Sequence, residues 1–527
     1  GAALPRNSGH PAQHCFGRSN AVAGGDMSLP VTRTSIAERS QRLARLIADQ
    51  LAERQQPDGT FEQHSFYAPA FAAALWAQLD PALYAHQIEV ALSALEAEQQ
   101  TPRYHREFIE YGLRQIPGLS DKRLNAILRT APTQSPDVAN WQVLGMINRH
   151  LSLKKGAGKN RKLINWLHWA FIRLRYWRAP FFWDRPTCFS GQYHAFCAAL
   201  LTDSPEAAHS IIAAKATTLI AELSGDHGYA NLLGRGAGQN FGAVCALYAL
   251  SEHGFQTQAD AVLFRLENAF LTTGTLPLNL FSTADLPDDP GPANPKTPGW
   301  YNYNRHDDYL AFAGYWLLKI ATTPTAPRPQ PTTPELKAAP IAIFSNATYQ
   351  AQMCLCGTHS FDLTPCPVVL FGAENTASLL FAPTGGEEDT PSLYGPASIP
   401  LPATSDGKYF AQICKASRTK NTVRINFKLA GVSGQRTITF EDTQITITDK
   451  IATKCDLLRL LVHHDVKLVH ISQQQLHAPD LGISFHADRD LVIDETNHFT
   501  AAGLARRVIA PHTDHVTLRI CWGTDDA

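Results

Sequence analysis

The chain has 527 residues, of which 44% are hydrophobic and 18% charged, and its formal net charge is −1. These totals describe folded globular domains rather than a disordered chain, and the length exceeds one ordinary core. Near-neutrality provides no global field for nucleic acid or a membrane, and no apolar run reaches the roughly 18–20 residues of a spanning helix, so neither is an expected partner.

Residues 1–26 are rich in Gly, Asn, His and Arg and lack the apolar stretch of a secretory signal, whereas Met27-Ser-Leu-Pro reads as a native start. The expectation is a disordered leader at 1–26 and a cytoplasmic protein. The ten cysteines lie mostly in apolar segments, as in Ala195-Phe-Cys-Ala-Ala, and read as reduced, buried thiols. Cys354-x-Cys356 with Cys366 has no second pair at zinc-finger spacing, so no metal is expected there.

Residues 27–322 form the first domain. Their apolar pattern is helical and alanine-rich, predicting helices over Ile36–Glu53, Tyr67–Leu79, His86–Gln99, Arg123–Thr130, Trp141–Leu151, His194–Leu201, Ser210–Leu223, Phe241–His253, Ala259–Leu271 and Tyr309–Thr322. Several begin after a polar-aromatic phrase containing Asp or Asn. The phrases start at Pro57, Asp137, Trp183, Gly225 and Tyr303, with gaps of 80, 46, 42 and 78 residues. Each gap is one or two helical hairpins of about 40 residues, which implies a solenoid or an α/α toroid. A toroid gathers the starts of its inner helices around one cleft. N-capping explains one polar residue per helix but not the Tyr, Trp, His and Arg beside it.

Within these phrases, Tyr193 and His194 offer a proton donor and a proton acceptor at a helix start, after Gln192. Arg235 lies between Gly234 and Gly236, where its guanidinium can clamp a carboxylate or else pair with an acidic neighbour such as Asp226. Asn140, Gln239 and Asn240 are neutral donors suited to a carboxylate, and Trp141 follows Asn140. The first phrase supplies His64 and Tyr67, and the last supplies Tyr303, Arg305 and His306, with Asp307 and Asp308 placed to satisfy a helix N-terminus. Residues 154–178 carry eight Lys and Arg and no acid, interleaved with Trp166, Trp169, Phe171, Tyr176 and Trp177. An amphipathic helix explains them. So does an anionic sugar chain held by charge and ring stacking, which is preferred to single-stranded nucleic acid because no RNA-binding signature accompanies them.

Residues 323–338 read as a proline-rich linker. Over 339–527 the period changes to two, as in Val423-Arg-Ile-Asn-Phe-Lys-Leu and Arg436-Thr-Ile-Thr-Phe, which predicts an antiparallel β-sandwich.

With these motifs together, the chain resembles the polysaccharide lyases built from an incomplete (α/α) toroid and a β-sandwich, the heparinase II/III-like and the chondroitin, hyaluronate and alginate lyase-like enzymes. Asn140-Trp141, Gln192-Tyr193-His194 after Asp184, Gly234-Arg235-Gly236 and the strand pair from Arg436 to Asp449 carry the resemblance. The usual Asp-Gly-Ser-Phe is replaced by Asp184-Arg-Pro-Thr-Cys, and the His-x-His-x-Asp metal strand of some relatives is not found, His463-His464-Asp465 being a weak substitute. The resemblance implies β-elimination at a uronic acid of an anionic polysaccharide or oligosaccharide, without a cofactor and with at most a structural divalent metal. Asn140, Asn240 or Arg235 would neutralise the carboxylate. His194 would be the base and Tyr193 the acid, with Tyr303 and His306 as substitutes. Trp141, Gln192, Gln239, Asn240, His64, Tyr67 and Arg305 would contact sugar. A glycoside hydrolase using two of Asp58, Glu62, Asp184, Asp226, Asp307 and Asp308 is the competing reading, followed by a glycan-binding protein without turnover. A uronate epimerase would share the proton abstraction.

Overall fold

The computed structural model describes residues 35–61, 65–98, 105–128, 136–153, 159–281, 305–323, 340–357, 364–372, 378–382, 385–386, 397–398, 400–500 and 503–523. The leader at 1–26, Glu62, His64, Tyr303 and nearly all of the proline-rich segment lie outside them.

Twelve helices precede the large sheet among the described residues: α1 Ile36–Arg54, α2 Ala68–Leu79, α3 Ala85–Ala97, α4 Arg106–Arg114, α5 Asp121–Leu128, α6 Ala139–Ser152, α7 Lys159–Arg175, α8 Gly191–Thr202, α9 Ala207–Ser224, α10 Asn240–Glu252, α11 Gln256–Thr273 and α12 His306–Thr322. They form an α/α toroid. The inner helices α2, α4, α6, α8, α10 and α12 each pack on the next, and α12 returns to α2. Outer helices lie against them, α3 on α2, α5 on α4, α7 on α6, α9 on α8, α11 on α10 and α1 on α12.

Sequence decides which helix goes where. Every residue of α10 is buried, so it is apolar around its whole circumference and belongs inside. Helix α1 buries only a stripe, Leu43, Ala44, Ile47, Ala48 and Leu51, at the spacing of one helical face. Small residues let the layers approach. A Cβ on Gly314 of α12 would lie 2.7 Å from Leu75 and 2.8 Å from Ile47, so any larger residue would push α12 off α1 and α2. Helix α4 breaks the pattern that betrays the others, because Glu107 and Glu110 face inward. Glu110 is held there by Arg106 at 2.9 Å and Arg114 at 2.6 Å.

From Ile341 the chain builds an antiparallel β-sandwich of fifteen described strands around the paired 20-residue strands Gln444–His463 and Gly503–Trp522. Strand Thr422–Leu429 alternates as its sequence requires, with Val423, Ile425, Phe427 and Leu429 buried. These residues share one core with Tyr349, Phe381, Ile447 and Phe485. A second cluster welds sandwich to toroid, combining Leu219, Leu223 and Tyr229 with Ile341, Val368 and Leu379. There Gln350 and Gln352 donate to the carbonyls of Glu222 and Leu223 at 3.0 and 2.6 Å, satisfying carbonyls at the end of α9. The nine cysteines among the described residues are free thiols.

Candidate functional site

The N-terminal ends of all six inner helices converge on one cleft. Phe66 and Tyr67 come from the head of α2, His105 and Phe108 from α4, Asn140 and Trp141 from α6, Tyr193 from α8, Phe241 from α10, and Arg305, Asp308 and Tyr309 from α12. A helix N-terminus carries about half a positive charge in unsatisfied N–H groups, so the convergence of several such heads favours an anionic ligand.

The head of α8 is set by Ser190, whose Oγ accepts from the Tyr193 N–H at 3.3 Å and donates to the Arg235 carbonyl at 2.6 Å. That second bond pins the glycine loop. Gly234 and Gly236 have φ of +76° and +78°, and a Cβ on Gly234 would sit 2.2 Å from the Phe189 carbonyl oxygen, so only glycine permits the approach. Arg235 is thereby laid over the Tyr193 ring, 4.5 Å from its centroid, with Nη2 3.0 Å from Asp184 Oδ1. Its acidic partner is Asp184, not Asp226. The stacked guanidinium favours negative charge developing on Tyr193.

Asn140 is 2% exposed, and its Oδ1 has no hydrogen-bond partner among the described residues. A buried carboxamide left open costs about 1–3 kcal/mol and is retained where a ligand completes it. His105 takes a left-handed backbone, φ +58°, at the head of α4, with its ring 4.7 Å from Phe66 and 5.3 Å from Trp141. Burial lowers its pKa to about 3 and holds the imidazole neutral. Asp308 accepts from the N–H groups of Phe66, Tyr67 and Ala68 at 2.9, 2.7 and 2.6 Å and so caps α2. Burial raises its pKa to about 7, against the pull of those three amides. Tyr309 donates to Gln239 Oε1 at 3.1 Å.

Of the residues expected from sequence, Tyr67, Asn140, Trp141, Tyr193 and Arg305 line the cleft, and Arg235 backs Tyr193. Others do not. His194 is 1% exposed; its Nδ1 accepts from the Phe182 N–H and its Nε2 donates to the Ala216 carbonyl, both at 3.1 Å, so it has no lone pair for a substrate proton. His306 lies behind α12, with Nε2 3.1 Å from the Leu276 carbonyl oxygen. Asn240 donates to the Pro277 carbonyl at 2.7 Å, and Gln192 and Gln239 are buried outside the lining. The physical reason is helical phase. Each helix is rotated about its axis so that Tyr193 and Phe241 face the cleft, while the neighbouring His194 and Asn240, about 100° round the helix, bond to backbone.

Sequence reasoning missed Phe66, His105, Phe108, Phe241, Asp308 and Tyr309 as lining. His105 was recoverable, because Tyr104-His105 before α4 repeats the phrase found at the other inner helices.

Paired carboxylates are absent from the described lining. Asp308 is its single acid, Asp307 pairs with Arg54 at 2.7 Å, and Asp58 accepts from Thr60 on the surface. The described lining thus holds one carboxylate, whereas a glycoside hydrolase uses two. The one described group with donor atoms close enough for a metal is His463, His464 and Asp465, within 4.8 Å of one another.

The fixed, neutral His194 has a measurable consequence. Burial lowers its pKa from 6.5 to about 4, so its contribution is complete above pH 6.5 and is lost as the unfolded chain takes up protons on acidification towards pH 4. Denaturant midpoints are expected to fall over that window, and less steeply in His194→Gln. An unchanged slope in the variant contradicts the assignment.

The fold is similar to that of solved polysaccharide lyases. Chondroitin AC lyase of Streptomyces coelicolor A3, solved with chondroitin sulphate, is 12% identical with a TM-score of 0.45, over 96% of this chain and 81% of that one. A chondroitinase AC lyase solved with oligosaccharides gives 9% and 0.42, over 93% and 83%. Heparan sulfate lyase HepC from Pedobacter heparinus gives 10% and 0.30, over 93% and 89%. No protein-family model and no curated protein matches the chain.

Proposed function

We propose that the cleft binds a uronic-acid unit of an anionic polysaccharide or oligosaccharide and cleaves the chain by β-elimination. The observation that carries this reading is Asn140, a buried carboxamide on the lining of the same cleft as Tyr193. The C5 proton of a uronate is weakly acidic until its carboxylate is neutralised. The Asn140 amide N–H, aided by the converging helix N-termini, is suited to hold that carboxylate as charge moves onto it.

Proton transfer falls to Tyr193, with Arg235 stacked on its ring. The C5–H electrons form the C4=C5 double bond, the C4–O4 bond breaks, and O4 leaves with a proton. His105 is the histidine on the described lining, in place of His194, although its burial opposes protonation. Phe66 and Trp141 offer ring faces to the sugar.

An ultraviolet absorbance screen over uronate polymers and their carboxyl-reduced forms tests the reading. Unsaturated product is expected from at least one native polymer and from none of the reduced ones. Equal rates on a native polymer and its reduced form would remove the role of the carboxylate.

A further inference from the structure

Helix α7, KNRKLINWLHWAFIRLR, turns only Asn165, Trp169 and Ile172 into the protein. Leu163, Ile164, Trp166, Leu167, Phe171 and Leu174 face out, Trp166 at 62% and Leu174 at 76% exposure. At 3.6 residues per turn these six occupy a continuous arc of about 160°, opposite the packed face. Basic residues border the arc on both sides, Lys162 and Arg173 along one edge and Arg161 and Arg175 along the other, with Lys159 at its start and no acid in the helix. Arg175 pairs with Asp137, while Lys159, Arg161, Lys162 and Arg173 make no ion pair among the described residues. An outer helix of a water-soluble domain normally reverses this pattern and turns its charges outward.

We propose that α7 seats the protein on an anionic lipid surface, lying flat with its apolar arc among the acyl chains and its basic borders at the headgroups. No described helix is long and apolar enough to cross a membrane, and 17-residue α7 has the composition of an interfacial helix. This departs from two sequence expectations, that the chain has no membrane partner and that residues 154–178 bind glycan. The near-zero net charge hides the local excess. Of the five interleaved aromatics only Trp166 and Phe171 face outward. Trp169 and Tyr176 are buried, and Trp177 packs on Phe182 at 4.7 Å. The outward arc is mainly aliphatic, which stacks on neither sugars nor bases. A second copy of the chain docked symmetrically would set cationic borders against cationic borders, whereas anionic headgroups complement them.

The test is co-sedimentation of the full chain with vesicles of phosphatidylcholine alone or with one-quarter phosphatidylglycerol. Binding to the anionic vesicles is expected, weakening with salt. Arg161→Glu and Arg173→Glu should each reduce it about fivefold or more, and Leu167→Glu and Leu174→Glu about tenfold or more. These side chains are exposed, so circular dichroism and thermal midpoints should match the parent protein. Absence of binding to anionic vesicles overturns the proposal. So does binding that the leucine variants leave intact, or a lipid-free dimer that those variants dissociate, which would assign the face to a second copy.

Discussion

Tyr193→Phe is expected to lower turnover of a uronate polymer by about 10²- to 10⁴-fold, the contribution of a positioned proton-transfer group. The substitution removes one oxygen and keeps the ring under Arg235, so the loop carrying Arg235 and the cap from Ser190 are undisturbed. KM should change little, because the loss falls on the chemical step rather than on binding. Asn140→Ala is expected to cost about 10²- to 10³-fold, as for removal of one donor to developing charge. Asn140→Asp should be at least as poor, since it sets a negative charge beside the substrate carboxylate. Steady-state rates by absorbance, with thermal midpoints measured alongside, separate these outcomes from misfolding. Full activity in Tyr193→Phe would transfer proton transfer to another group, and His105→Gln would then be the variant to lose it.

The second large effect concerns stability. Arg436 and Asp449 face each other across adjacent strands, both wholly buried, joined by two bonds of 2.7 Å. Arg436 also donates to the carbonyls of Leu458 and Pro400, and the Leu458 N–H donates to Asp449 Oδ2 at 2.9 Å. Three segments thus meet at one ion pair in a core where neither charge reaches water. Arg436→Met leaves Asp449 uncompensated and is expected to cost about 3–5 kcal/mol, whereas Arg436→Met with Asp449→Leu should recover much of it. Denaturant unfolding of the three variants checks this. A double variant no better than Arg436→Met would mean that the carbonyl contacts, not the pair, hold the strands.

How far the sequence reveals this molecule depends on what each residue must satisfy. Helices such as α10, and strands such as Thr422–Leu429, are legible because burial dictates their composition. Helix α4 is not, because its inward Glu110 is matched by two arginines that no periodicity reports. For the cleft, the repeated polar-aromatic phrases locate the helix heads, and so Asn140, Tyr193 and Arg305 are found. They cannot fix rotation about each helix axis. His194 and Asn240 are therefore expected in the site, although both ring nitrogens of His194 are bound to backbone and Asn240 donates to the Pro277 carbonyl. The partner of Arg235 was equally illegible, since Asp184 reaches it across 51 residues through a strand whose register only folding sets.

The central claim, elimination in a cleft built to neutralise a uronate, is tested most directly by running the reaction in oxygen-18 water. Elimination consumes no water. The account predicts an unsaturated sugar at one new end and unlabelled oxygen at the other, each at one per cleavage. One labelled oxygen per cleavage and no double bond would mean hydrolysis, and would contradict it.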